Sequence, residues 1–73
     1  MDRNYEDLVQ AIVVQAAKDY RKTLKRLIKY PRDRDAKYHK DEIEEFFRSD
    51  WFMDMTTADG EYIIHALQQE VSF

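Results

Sequence analysis

The feature that most constrains the fold is a long amphipathic pattern that begins near the N-terminus. Apolar residues recur at spacings of three and four: Tyr5, Leu8, Val9, Ile12, Val13, Ala16, Ala17, Tyr20, Leu24, Leu27 and Ile28. This spacing predicts a helix over residues 5–29, which Pro31 ends because the residue before a proline avoids the helical conformation. We expect the far end of this helix to extend beyond its neighbours or to pair with another copy.

Shorter helices are predicted in the rest of the chain. A second helix covers residues 35–48, with Asp33 or Asp35 as its cap, and one helical or 3₁₀ turn follows near residues 50–54. Thr56 or Thr57 is expected to cap the last helix. With one glycine and one proline in 73 residues, the chain lacks the turns of a β architecture. These features predict an all-α protein: one domain over residues 1–73, folded as a compact three-helix bundle with a long N-terminal helix and a short extra helical turn.

An aromatic cluster is the predicted centre of the core. Phe46, Phe47, Trp51 and Phe52 fall within seven positions, and a chain this short depends on dense packing. Gly60 lies just downstream of the cluster. It either lets Trp51 or Phe52 pack against bare backbone, or it is tolerated near a frayed helix end.

Composition narrows the classes of function. There is no cysteine, so disulfides and thiolate metal sites are excluded. No apolar run approaches the roughly 18–20 residues of a membrane span, and the acidic N-terminus is unlike a secretory signal. We therefore expect a cytoplasmic protein without a membrane contact. His39 and His65 form no metal-binding motif, and no phosphate-binding glycine loop is present, so we expect no cofactor and no enzymatic activity.

Charge is distributed in blocks along the chain. Residues 1–17 carry a net charge of −2, residues 18–40 carry +7, and residues 41–73 carry −8, although the whole chain carries only −3. Such segregation is the clearest indication of function in the composition, because it indicates two surfaces of opposite sign.

The basic block predicts a face for nucleic acid or for an acidic partner. Its helical stripe, extended by neighbouring residues, comprises Lys18, Arg21, Lys22, Lys25, Arg26, Lys29, Arg32 and Arg34. Lysine and arginine rows contact phosphate backbones, and Tyr20 and Tyr30 nearby could stack on bases. The alternatives are that the stripe is a solvated helix face and that both tyrosines belong to the core and its rim.

The acidic block predicts a face for a basic partner, comprising Asp41, Glu42, Glu44, Glu45, Asp50 and Asp54. Regularly placed carboxylates can imitate a phosphate backbone and occupy the basic channel of a nucleic-acid-handling enzyme. A solvated helix face is the alternative interpretation. In a third interpretation, the basic face of one copy meets the acidic face of another and produces a homo-oligomer.

Two motifs carry a resemblance to a known family. Residues 42–52, EIEEFFRSDWF, match the pattern E-I-E-x-F-F-x-S-x-W-[FY], and residues 56–64 match T-x-x-D-G-[ED]-[YF]-[IL]-I. In this combination the chain resembles a family of small all-helical proteins of Gram-positive prophages and integrative mobile elements. No activity is known for this family, so the resemblance implies only that the chain is encoded by a prophage or mobile element.

Taken together, these patterns lead to two functional expectations. The first is a small non-enzymatic interaction protein that binds a protein partner, such as a host-defence or nucleic-acid-handling complex, in the manner of an anti-CRISPR protein. The alternative is a nucleic-acid-binding accessory protein that uses the basic face of the first helix.

Overall fold

Four α-helices make up the structure, a computed structural model that describes residues 3–73, with side chains from Asn4 onward. They are α1 (Arg3–Lys29), α2 (Arg34–Phe47), α3 (Asp50–Met55) and α4 (Gly60–Glu70). The all-α class and the long first helix are confirmed. The expected extra turn is a regular six-residue helix, α3, so the described residues contain four helices. The arrangement as a three-helix bundle stays a prediction.

The helices α2 and α3 each begin at a residue in the preceding connection whose short side chain caps the helix. Asp33 caps α2 by accepting a hydrogen bond from the Ala36 backbone N–H at 3.0 Å, which confirms one of the two predicted caps. Ser49 caps α3, accepting from the Phe52 N–H at 3.1 Å. Each cap satisfies a backbone donor that has no partner within its own helix.

The predicted cap of the last helix was wrong. Asp59 caps α4, and its carboxylate accepts from the backbone N–H groups of both Glu61 and Tyr62. Thr56 instead accepts a hydrogen bond from the Ala58 N–H within the connection. The carboxylate reaches two donors at the helix start, where a negative charge is also favoured by the helix dipole.

The core lies where α1, α2, α3 and α4 meet. Its buried cluster consists of Tyr20, Leu24, Phe47, Phe52, Ile64 and Leu67. Phe47 and Phe52 pack edge to face, with ring centroids 5.5 Å apart. Two members of the predicted aromatic centre therefore lie in the core, and Phe46 packs half-buried against it.

Gly60 is required by a close contact between helices. A Cβ atom added at this position would lie 1.9 Å from the carbonyl oxygen of Phe47. The first turn of α4 thus approaches the backbone at the end of α2, a contact that neither of the two interpretations of Gly60 named.

The N-terminal part of α1 is less covered than its apolar pattern predicts. Leu8 is 57% exposed, and Tyr5 and Ile12 are 38% exposed; Ile28, near the other end of the same pattern, is exposed as well. With 27 residues α1 is about 40 Å long. The other helices have 14 residues or fewer, so none of them can cover its whole length.

One contact ties the start of α1 to the end of α3. The Tyr5 hydroxyl donates to the sulfur of Met55 at 2.9 Å. The N-terminal end of α1 therefore lies beside α3, and its C-terminal end lies beside the start of α2. Over residues 3–73, no helix combines the length and the apolar character that a bilayer crossing needs.

Candidate interaction surface

Helix α3 presents an exposed face of mixed apolar and acidic character. Phe52 anchors the helix and is fully buried, whereas Trp51 is 37% and Met53 61% exposed. Asp50 and Asp54, one helical turn apart, are also exposed. Because consecutive helical residues point about 100° apart, burying Phe52 turns its neighbours outward.

Trp51 was predicted to lie at the centre of the core, and this prediction was wrong. One side of its ring rests on Phe46, with centroids 5.6 Å apart, and the rest faces outward. Phe52 points into the core, so its neighbour Trp51, turned by about 100° around the helix, points away from the core centre. Trp51 is consequently a partly exposed aromatic side chain whose ring is supported by Phe46.

An acidic groove adjoins α3 and is lined by Asp41, Glu45, Ser49 and Asp50, together with Glu44 and Arg48. Asp41, Glu45 and Asp50 are exposed, as predicted, and none of them forms an ion pair within residues 3–73. Asp54 continues the acidic surface along α3. Five of the six predicted acidic residues, including Glu42, are exposed.

Glu44 is the exception, and its assignment to the acidic face is corrected. It is only 8% exposed and accepts a hydrogen bond of 2.5 Å from the Tyr20 hydroxyl. Its carboxylate also lies 2.7 Å from the Lys40 ammonium and 3.6 Å from the Arg48 guanidinium. Gln68 completes the cluster by donating to the Tyr20 oxygen at 3.0 Å. This polar cluster joins α1, α2 and α4.

Electrostatics within the cluster keep Glu44 charged. Burial alone would raise the pKa of Glu44, but the hydrogen bonds from Lys40 and Tyr20 outweigh it, so the pKa is lowered. Burial, with the hydrogen bond to Glu44, raises the pKa of Tyr20. Tyr20 is fully buried and therefore cannot stack on a base, which decides between its two interpretations.

The eight predicted basic residues divide into two groups. Arg21 forms an ion pair with Glu70, and Arg26 binds Asp33 at 2.6 Å. The other six are exposed and form no ion pair among the described residues: Lys18, Lys22, Lys25, Lys29, Arg32 and Arg34. Sequence alone could not separate these groups, because the acidic partners of Arg21 and Arg26 come from other elements.

Tyr30 directly follows α1, and its ring contacts two cationic side chains of that helix. The Arg26 guanidinium carbon is 4.7 Å and the Lys29 ammonium 5.5 Å from the ring centroid. Cations this close to an aromatic face interact with its electron density. The tyrosine therefore belongs to the rim of the basic face.

The histidines show no metal-binding arrangement within residues 3–73. His39 lies 3.4 Å from Glu42, one helical turn away, and both side chains are exposed. No group of three or more histidine, aspartate or glutamate side chains in this part of the chain is placed to hold a metal ion.

Comparisons with protein-family models, with curated proteins and with solved structures found no match. The resemblance to prophage proteins therefore stays an expectation. Residues 3–73 establish an all-helical fold with an acidic surface that includes the exposed Trp51, and with six exposed basic side chains that form no ion pair among these residues.

Proposed function

We propose that this chain is a small non-enzymatic interaction protein of a prophage or mobile element, and that it binds a protein partner through α3. The observation that carries the proposal is the exposure of Trp51 and Met53, one on each flank of a short helix that Phe52 anchors in the core. Tryptophan and methionine are enriched at protein interfaces, and tryptophan is prominent among the residues that dominate binding energy. Trp51 rests on Phe46, so its ring is positioned before a partner arrives.

The charge around Trp51 supports a basic partner. Asp50 and Asp54 lie next to the tryptophan on the outward side of α3, and the acidic groove adds Asp41 and Glu45. Within each pair the two residues are four positions apart, which corresponds to about 6 Å along a helix axis. Two such carboxylate pairs suit a protein surface that normally accepts a phosphate backbone. We therefore propose a nucleic-acid-handling protein as the partner class, and a host-defence complex as the setting that the mobile-element resemblance favours.

Site-specific photo-crosslinking tests this proposal. A photoreactive amino acid replaces Met53, and a matched variant carries it at Ile28, which is 50% exposed. Ile28 lies 23 residues beyond Tyr5, about 35 Å along α1, whereas α3 contacts Tyr5 itself. The probe is a lysate of a Gram-positive bacterium, and adducts are identified by mass spectrometry.

The proposal predicts an adduct with a basic protein from position 53 that is absent from position 28. Reversing the charge of Asp50 and Asp54 to lysine should abolish that adduct, because like charges would then meet across the interface. Identical adducts from both positions would show that α3 is not the binding surface. An adduct that survives charge reversal would refute the basic character of the partner.

A further inference from the structure

A row of four lysines runs along α1 on the side away from the core. Lys18, Lys22, Lys25 and Lys29 follow one another at intervals of four, three and four residues. At 100° per residue they fall within a sector of about 60°, opposite the buried Leu27, and the row is about 16 Å long. All four are exposed.

No lysine of the row forms an ion pair among the described residues. Two acidic groups near this end of α1 are bound by arginines: Glu70 by Arg21, and Asp33 by Arg26. Asp19 and Asp35 line a groove with Lys22 but form no ion pair with it, and Asp19 accepts a hydrogen bond from Gln15. The acidic groove lies on α2 and α3, across a molecule 18–21 Å thick in its two short dimensions. Since charges more than about 8 Å apart are largely screened at physiological salt, the lysine row keeps its own positive field.

Two arginines extend the positive surface past the end of α1. Arg32 and Arg34 are exposed and form no ion pair among the described residues. A linear array of unpaired cations on a rigid helix matches a ligand whose negative charges repeat along a line. The phosphodiester backbone of nucleic acid is such a ligand.

The mode of binding follows from the tyrosines. Proteins that bind single strands without sequence preference rely on aromatic side chains on which the bases stack. Here Tyr20 is fully buried, and the Tyr30 ring is in contact with Arg26 and Lys29. Tyr30 is 47% exposed, but it is a single ring at one end of the lysine row, whereas a single strand needs a series of rings for its successive bases. The row therefore offers mainly charge to phosphates, which favours a duplex, whose bases are already stacked within it.

We propose that the lysine row is a second binding site, separate from α3, for the phosphate backbone of double-stranded nucleic acid. Binding is independent of base sequence. Four lysine–phosphate contacts give a slope of log K against log salt of roughly −3.6, and non-specific dissociation constants fall at about 10⁻⁴–10⁻⁶ M at physiological salt.

Fluorescence anisotropy with a labelled short DNA duplex tests the proposal, using two unrelated sequences and a series of salt concentrations from about 50 to 200 mM. The test variant is K22Q/K25Q. Its matched control is K37E, which lowers the net charge by the same two units. Lys37 is exposed and lines a groove with Leu27 and Phe73, on the side of α1 opposite the lysine row. Lysine, glutamine and glutamate have similar helix propensities, so both variants should fold.

The proposal predicts that K22Q/K25Q weakens duplex binding by about tenfold or more and reduces the salt slope by about two. K37E should change the affinity by less than about twofold. An equal loss in both variants would show that only net charge matters. An absence of binding by the wild-type protein at the lowest salt would also overturn the proposal, as would a strong preference between the two sequences.

Discussion

Replacing Gly60 with alanine should destabilise the protein, although intrinsic helix propensity predicts the opposite. Gly60 is the first residue of α4, and alanine exceeds glycine in helix propensity by up to about 1 kcal/mol. The structure opposes this gain, because the new methyl group would lie 1.9 Å from the carbonyl oxygen and 2.9 Å from the carbonyl carbon of Phe47. Both atoms belong to the backbone of α2, so no side-chain rotation can relieve the overlap.

The loss in free energy of unfolding for G60A follows from how far the added methyl group must displace α4. An ordinary contact needs a separation above about 3 Å, so α4 must move away from α2 by more than about 1 Å and loosen the packing around Phe47. Overpacking of a core typically costs about 1–3 kcal/mol, and the backbone contact places G60A at the upper end. For a domain of this size, about 2–3 kcal/mol lowers the melting temperature by roughly 10–20 °C.

Urea unfolding followed by circular dichroism measures the effect, and A66G provides a matched control in the same helix. Ala66 is exposed, so its replacement should cost only about 1 kcal/mol through propensity. We expect both variants to be destabilised, G60A more than A66G. A G60A midpoint equal to or above that of the wild type would refute the close approach of α4 to the end of α2.

Two further substitutions test the interior and one cap. E44Q should lower the free energy of unfolding by about 1–3 kcal/mol near pH 7, because it removes a buried, charge-assisted acceptor. The folded state lowers the pKa of Glu44, so this contribution is present above the unfolded pKa of about 4.3 and is lost as pH falls through the folded value. The difference between the urea midpoints should therefore be largest near pH 7 and should shrink as the pH falls below the unfolded pKa; a difference that does not change with pH would contradict the account. S49A should cost about 1 kcal/mol through loss of the α3 cap, whereas T57A in the next connection should be nearly neutral, and equal urea midpoints for the two variants would contradict that cap.

The helices themselves were predictable because they follow from local chemistry. The three- and four-residue spacing of apolar residues predicted α1, and Asp33 was recognisable as a cap of α2. The cap of α4 was harder to predict, because Thr56, Thr57 and Asp59 are all good capping residues. Only the conformation of the connection decides between them.

Burial was less predictable, because it depends on which elements come together. Glu44 has the same local sequence signature as the exposed Glu45, and only the hydroxyl of Tyr20, 24 residues away, explains its burial. Leu8 and Ile12 continue the apolar pattern of α1 beyond the reach of α2 and remain exposed. Trp51 and Phe52 are equally apolar neighbours, and the orientation of one six-residue helix decides which of them is buried.

The most direct test of the proposed function is the affinity for the partner captured through position 53, measured by titration calorimetry with purified proteins. We predict that W51A weakens binding by about 30-fold, which corresponds to the roughly 2 kcal/mol of an interface hot spot. I28A, at the other end of the molecule, should bind like the wild type. If W51A is folded and binds with unchanged affinity, the α3 surface is not the binding site and the account is wrong.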